Sequence, residues 1–352
     1  MSGMKPKRRP RLAPARHHMA VAPPRSRLGR SARQFPPARR IALSGSPEDA
    51  VVDAQGRVIG GAEGGRILRV DPERGSEEVI GDTGGRPLGL ELLGDGRLLV
   101  CDADKGLLCL DPVSGELETL VRVVGGVALR FCSNASAASD GTIWFTESTR
   151  RFGFEHYLGA LLEHRPSGRL LRRDPDGTVE VVLGALYFAN GVTLTQDESA
   201  LLFAETGAAR ISRLELRGPR AGRIDVIADN LPGYPDNLSR VRDGRFWAAI
   251  PNPRDALLDR LGTAPGVVRE LVWRIPDRLR PSGKRTVWVM AFDEHGNVLA
   301  DLQQPRADFH MVTGVAEHDR HLYLASVQEH ALLAVALPED LPRCPLQSSS
   351  AA

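Results

Sequence analysis

Glu48, Asn190 and the pair Asp236-Asn237 each stand at the start of an alternating apolar stretch, where small or apolar residues would be the ordinary choice. Glu48 follows Pro47, Asn190 follows Phe188-Ala189, and Asp236-Asn237 follow Gly233-Tyr234-Pro235, so each polar group lies between apolar or turn residues. Ser133-Asn134 hold the same place in a further copy. If these stretches are the innermost strands of blades around one axis, their starts converge at the mouth of a central channel. Two carboxylates meeting there repel unless a proton or a cation lies between them. The donors are all oxygen, without Cys or His, and such a set selects a hard ion. The roomy coordination of Ca2+ suits it better than the strict octahedron of Mg2+. Another hard divalent ion and a metal-free hydrogen-bond network are the other readings of the same residues. The expected ligand set is Glu48, Asn134, Asn190, Asp236 and Asn237. Asp236 is the candidate catalytic residue: it either shares the ion with Asn237 or takes a proton from a water whose pKa the ion lowers.

The elements that must position these residues are copies of one strand-turn-strand unit. They begin near Glu48, Leu88, Asn134, Asn190, Asp236 and Thr313, and their turns centre on Gly56, Gly96, Gly141, Glu198, Gly244 and Arg320. Repeats of about 40 to 50 residues that pair strands in this way predict a β-propeller, because each unit buries its faces only by stacking on its neighbours. After most inner pairs comes another apolar strand, an Asp/Pro/Gly turn and a further strand, as in GGRILRVDPERGSEEVI, which completes a four-stranded blade. The sixth copy ends at HALLAVALPED without an outer strand, and residues 39–44 (RRIALS) precede the first copy with no blade of their own. They are expected to close the ring by pairing with the last blade. The fold expected is all-β, a six-bladed β-propeller with a small helical insertion over one face.

Two long intervals between turns mark insertions near 148–168 and 251–285, which in repeat folds map to loops on one face. Helical spacing of Leu257, Leu258 and Leu261, and again of Val267, Leu271 and Ile275, predicts two short helices within 255–280, split at Pro265-Gly266 and ended by Pro276. They form either a cap over the channel mouth or a surface excursion. The propeller is expected over 39–338, with a flexible tail over 339–352.

Residues 1–38 carry a dense Arg/Lys/Pro run, while the remainder is net acidic under an overall formal charge of +2. The run lacks the apolar core of a signal peptide or a membrane span, and its composition predicts a solvated extension. Non-specific contact with nucleic acid or another anionic surface is the partner such an arm admits. Cys101, Cys109, Cys132 and Cys344 lack zinc spacing, and reduced thiols point to a cytoplasmic protein.

The order and blade placement of several short segments resemble the strictosidine synthase-like branch of the calcium-dependent six-bladed propellers, relatives of the gluconolactonases, senescence-marker proteins, paraoxonases and squid-type phosphotriesterases. The segments are PED around Glu48, DGTIWFTEST from Asp140, FANG from Phe188, PDN from Pro235, and EHD followed by LYLAS from Glu317. The resemblance spans roughly residues 40 to 338 and implies that Glu48, Asn190, Asp236 and Asn237 are calcium ligands. Two departures stand out. The third blade shows Ser133-Asn134 where relatives show Asn-Asp, and Thr313 falls where the plant synthase has its essential glutamate. A hydroxyl cannot replace a carboxylate in proton transfer near neutrality, so condensation of an amine with an aldehyde is not expected. The paraoxonase histidine pair is absent. His156 and His310, and Arg150 and Arg151 beside Phe152, are candidates for lining the mouth.

The activity these residues support is calcium-dependent hydrolysis of a small lactone, ester or phosphoester. The alternative is a non-catalytic, calcium-stabilised propeller that binds a small ligand or a protein partner.

Overall fold

A strand that is apolar at every position must be covered on both faces, because its side chains alternate. Leu98, Leu99, Val100 and Cys101 are all buried: Leu98 and Val100 pack on Ile59 and Ile67 of the preceding blade, and Leu99 and Cys101 on Ala135 and Phe145 of the next. Trp247 and Phe246 divide in the same way between the sixth and the fourth blade. The hydrophobic core is therefore six seams, one between each pair of consecutive blades. Leu, Val, Ile and Ala fill them with few aromatics.

The computed structural model describes residues 9–24, 35–276, 279, 283–306, 308–337 and 341. Blade 1 contains Ala50–Val52, Val58–Gly61, Arg66–Val70 and Glu77–Asp82, and blade 2 Pro87–Leu92, Leu98–Asp102, Gly106–Leu110 and Leu117–Val121. Blade 3 contains Cys132–Ala137, Ile143–Glu147, Gly168–Arg173 and Val179–Leu186, and blade 4 Ala189–Leu194, Ala200–Glu205, Arg210–Glu215 and Ile224–Ala228. In blade 5 the three strands Arg245–Ala249, Thr286–Asp293 and Val298–Pro305 form the sheet, and the innermost chain pairs with it through isolated bridges, Leu238 to Ala248 and Arg242 to Arg245. Blade 6 is built from Val312–His318, His321–Ser326 and Ala331–Ala336, and the early strand Ala38–Ala42 completes it, in antiparallel register from Ala38 opposite Val335 to Ala42 opposite Ala331. The ring closes as the orphan strand predicts. All six turn centres adopt positive φ, from 55° at Glu198 to 88° at Gly96 and Gly141. At Glu198 the strain of a Cβ in this region is offset by its carboxylate, which accepts from the Ser139 N–H and hydroxyl at 2.8 Å each.

The second insertion forms α2 (Ala256–Leu261) and α3 (Gly266–Arg274). Asp255 caps α2 by accepting from the amides of Leu257 and Leu258, and Pro276 forces Ile275 out of helical backbone. Residues 277, 278 and 280 of the expected insertion, and all of the C-terminal tail except Leu341, lie outside the described residues. A helix that the sequence reading did not anticipate, α1 (Tyr157–Glu163), occupies the first insertion. At seven residues it is too short to stand alone and is held by contacts with α3.

Part of the basic N-terminal run also departs from a solvated extension. Residues 9–24 run as a strap across all three helices. Leu12 is buried beside Phe152, Leu162 and Trp273, the Ala13 and Ala15 amides donate to the Glu163 carboxylate and carbonyl, and His17 stacks on His164 at 3.4 Å between centroids. Backbone donors and buried carboxylates, absent from a composition count, order this segment. Among the described residues no helix is long and apolar enough to cross a membrane. Cys101, Cys109 and Cys132 are buried free thiols.

Candidate functional site

The inner strands deliver two tiers of residues to the channel axis. The first tier is Glu48, Leu88, Ser133, Asn190, Asp236 and Thr313. The second, one residue further along each strand, is Asp49, Gly89, Asn134, Gly191, Asn237 and Gly314. In the second tier, acidic or amide side chains alternate with glycine, and crowding explains why. A Cβ on Gly89 would sit 2.5 Å from Asn134 Nδ2, one on Gly314 2.5 Å from Asp49 Cα, and one on Gly191 2.3 Å from the Leu238 amide nitrogen. Blades 2, 4 and 6 give up their side chains so that those of blades 1, 3 and 5 can cross. Gly191→Ala therefore forces blades 4 and 5 apart and is expected to cost about 3 kcal/mol or more. Gly94→Ala, with open space around its Cβ, should shift stability by less than about 0.5 kcal/mol, and urea titration of both variants measures the difference.

Hydrogen bonds join the expected residues into one network. Asn237 Nδ2 donates to both Glu48 oxygens at 3.2 and 3.1 Å, and Asn134 Nδ2 donates to Asn237 Oδ1 at 3.2 Å and to Asp49 Oδ2 at 3.4 Å. Across the axis Asn190 Nδ2 donates to Asp236 Oδ1 and to Thr206 Oγ1, while Ser133 Oγ donates to Asn190 Oδ1 at 3.0 Å. Ser133 thus lies at the level of Asn190. Asn134 lies one tier below, with its Oδ1 engaged by the Val192 amide at 3.1 Å. Thr313 Oγ1 donates to the Glu48 carbonyl at 2.6 Å, and the Thr313 carbonyl accepts from the Asn237 amide at 3.2 Å. It is a brace between blades.

Asp49 is the residue that sequence reasoning missed. It is 5% exposed and accepts from the Leu90 amide at 3.1 Å. A signal was available, since Asp49 follows Glu48 as Asn237 follows Asp236 and Asn134 follows Ser133. Three carboxylates therefore share the axis with little water. Burial first, then the Asp236 charge, pushes Glu48 up to about 8 against the Asn237 hydrogen bond. Burial and then Asp49 push Asp236 up to about 8, and burial and then Glu48 hold Asp49 well above the usual carboxylate range. Arg86 is the cation nearest in charge to Glu48, yet it donates only to the Ser46 carbonyl at 3.4 to 3.5 Å, lies 3.8 Å from Glu63 and stacks on Phe154. Its charge offsets only part of the upward push on Glu48. Among the described residues no three His, Cys, Asp or Glu side chains gather closely enough to hold an ion by themselves, so an ion here would lean on the amide oxygens too.

The mouth above the first tier is covered. Leu88, Phe131 and Phe188 pack against Phe154, Ala160 and Leu161 of the first insertion, which leaves Asp236 8% and Glu48 6% exposed. The other candidates for lining this mouth are placed otherwise. Arg151 pairs with Glu163 at 2.7 Å, Arg150 is exposed, His156 packs on Trp273, and His310 Nδ1 meets Glu329 at 2.5 Å.

Residues 136–219 match the strictosidine synthase family model, and residues 38–70 match the strictosidine synthase-like N-terminal model. The chain is 36% identical over 265 residues to the adipocyte plasma membrane-associated protein of Salmo salar, a match covering 72% of this chain and 64% of that protein. It is 31% identical over 314 residues to the protein strictosidine synthase-like 6 of Arabidopsis thaliana, covering 88% of this chain and 82% of that one. Among solved structures it resembles a gluconolactonase from Xanthomonas campestris (TM-score 0.62, 20% identity, 94% of this chain and 99% of that one). It likewise resembles the calcium-binding protein regucalcin from Agrobacterium tumefaciens (TM-score 0.61, 16% identity, 86% and 95%). At these identities the solved structures speak for the fold alone. With a relative matched over most of its length, the chain belongs to the strictosidine synthase-like family, and its fold is a six-bladed propeller closed by the early strand.

Proposed function

We propose that the two tiers hold a calcium ion and that the protein hydrolyses a small lactone, ester or phosphoester at its mouth. The observation that carries this reading is the set of three buried carboxylates, Glu48, Asp49 and Asp236, gathered at one axis where burial and their mutual repulsion push all three above the usual carboxylate range. A divalent cation removes both the desolvation cost and the mutual repulsion. The donor chemistry fits: carboxylates and Asn amides offer oxygen only, and an Asn side chain that now donates to a carboxylate presents its oxygen when turned over. Glu48, Asn190, Asp236 and Asn237 would hold the ion, and Asn134 would position Asn237. When bound, such an ion supplies Lewis-acid polarisation of a carbonyl or phosphoryl oxygen.

The remaining chemistry rests on the chain. Asp236 Oδ1 is held by Asn190, which Thr206 and Ser133 orient in turn, so Oδ2 is the atom to accept a proton. Phe131, Phe154 and Phe188 exclude water above it. Thr313 supports no amine-aldehyde condensation, because its hydroxyl is occupied as a backbone brace. The names of two fold relatives, a gluconolactonase and a calcium-binding regucalcin, agree with the reading.

Glu48→Gln is expected to weaken calcium by on the order of 100-fold and Asn134→Ala by less than about tenfold, since charge matters most to a hard cation. Calorimetric titration compares them, and equal losses would remove Asn134 from its supporting place. The activity itself is tested by screening purified protein against lactones, aryl esters and phosphotriesters with and without chelator. Calcium binding without turnover on any of them favours the structural reading, to which the covered mouth also lends weight.

A further inference from the structure

Five arginines are buried among the described residues, and four of them are matched. Arg169 donates to Glu147 at 2.7 Å, Arg254 to Asp259 at 2.8 Å, Arg269 to the Ala15 carbonyl at 2.7 Å, and Arg245 pairs with Glu317. Arg86 is the exception. Though only 8% exposed, its guanidinium meets no acceptor closer than the Ser46 carbonyl, which Nη2 and Nη1 approach at 3.4 and 3.5 Å, and its buried Nε–H has no partner. Burial lowers its pKa, opposed by Glu48, Glu63 and Asp102 in that order. None of these carboxylates accepts from it, because each is held by other donors: Glu48 by Asn237, Glu63 by the Ser46 amide and hydroxyl at 2.7 Å each, and Asp102 by the Thr83 hydroxyl and the Asp104 and Lys105 amides. A buried cation with an orphan donor costs stability, and an acceptor from outside the chain would remove that cost.

Its place is the covered mouth. Arg86 and Ser46 stand two residues ahead of Leu88 and Glu48 of the first tier, on the side of the cover, and the guanidinium lies 5.2 Å from the centre of the Phe154 ring. Phe154 packs with Leu88, Phe131 and Phe188 in the layer that shuts the mouth. The free edge has a definite shape. Both Nη groups turn toward the Ser46 carbonyl, so the side left over is the Nε edge with the neighbouring Nη2 proton. Two parallel donors of this kind fit two oxygens of one carboxylate or phosphate. We propose that Arg86 receives an anionic group of the ligand, a carboxylate or a phosphate, with the ring of Phe154 giving way to admit it. Resting on the hydrolase reading of this mouth, the assignment narrows the substrate class to lactones, esters or phosphoesters that carry an acidic group. An uncharged analogue would leave the buried donors unpaired and is rejected on that ground.

The test is calorimetric titration of the full-length protein with benzoate, with its neutral counterpart benzamide and with phenylphosphonate, in chelator and again in calcium. Benzoate or phenylphosphonate is expected to bind wild type at least about tenfold more tightly than benzamide in either buffer, and the tighter of the two identifies the acid. Arg86→Gln should abolish that preference. Arg86→Lys keeps the charge over Phe154 but not the paired edge, so it should lose at least about threefold of the preference. Its melting temperature should change little, which separates loss of the site from loss of the fold. A preference that survives in Arg86→Gln, or that arises in calcium alone, would assign the anion to the axial ion and overturn the proposal. So would equal affinity of wild type for benzamide and both acids, or no binding of any of them. Turnover is not part of the measurement, so a failed substrate screen sinks the hydrolase reading alone.

Discussion

Millimolar calcium is expected to raise the melting temperature of this protein by roughly 5 °C or more near pH 8, and by little near pH 5. The sign follows from the three axial carboxylates. Glu48 and Asp236 are raised from ordinary values of 4.5 and 3.8 to about 8 in the folded chain. The folded protein without calcium therefore binds more protons than the unfolded one between those limits. The stability these acids contribute is fully present below about pH 4, falls as they are forced to ionise in a dry site, and is lost above about pH 8, with a span on the order of 5 kcal/mol for one such shift. Calcium takes the place of the protons and flattens the slope, so its own affinity falls as pH drops through that window. Thermal melts across the window, in chelator and in calcium, measure both curves. A flat chelator curve would show that the axial acids carry no such penalty, and equal calcium shifts at both ends would place the ion elsewhere.

Asp236→Asn is expected to reduce turnover by about 100-fold to 10,000-fold on the best substrate found by screening, while a substantial part of calcium binding survives. An amide still offers an oxygen to the ion but cannot take up a proton. It also abolishes the charge that helps to raise Glu48, so the calcium-free variant should be more stable than wild type near pH 8. Asn237→Ala is the contrasting change, because it removes the donor to both Glu48 oxygens and the acceptor for Asn134, and it should lose calcium and turnover together. Paired measurement of turnover and calcium content separates the two. Full activity of Asp236→Asn at equal calcium content would eliminate Asp236 as the base.

The repeat was legible because a propeller blade is local: each strand pair is contiguous in sequence, its turn needs positive φ, and its alternation reports burial directly. The closing strand followed from the same bookkeeping, as the one strand without a blade met the one blade without an outer strand. Glu48, Asn190, Asp236 and Asn237 were legible as polar exceptions at strand starts, where the pattern predicts small or apolar residues. Asp49 was overlooked although the same register marks it. What no local pattern contained was how the tiers interlock: the alternation of glycine with Asp49, Asn134 and Asn237 has meaning only once six strands from distant parts of the chain approach one axis and a Cβ has nowhere to go.

The cap divides along the same line. Spacing and prolines predicted α2 and α3, but α1 forms only where α3 covers it, and residues 9–24, polar and proline-rich, are ordered by Glu163 and Arg269, which lie about 150 to 250 residues away. The direction in which α3 points its apolar side was likewise outside the reach of periodicity. A helical period fixes which residues share a face, and the choice of face to bury depends on the partners that the tertiary structure brings, here the carbonyls of Leu162 and Ala15 waiting for Arg269. Sequence thus determined the blades, their closure and the polar residues at the axis, because each is written in contiguous alternation. Tertiary structure decided the interlocking of those residues and the orientation of the cap above them, because both depend on contacts between segments that no sequence window contains.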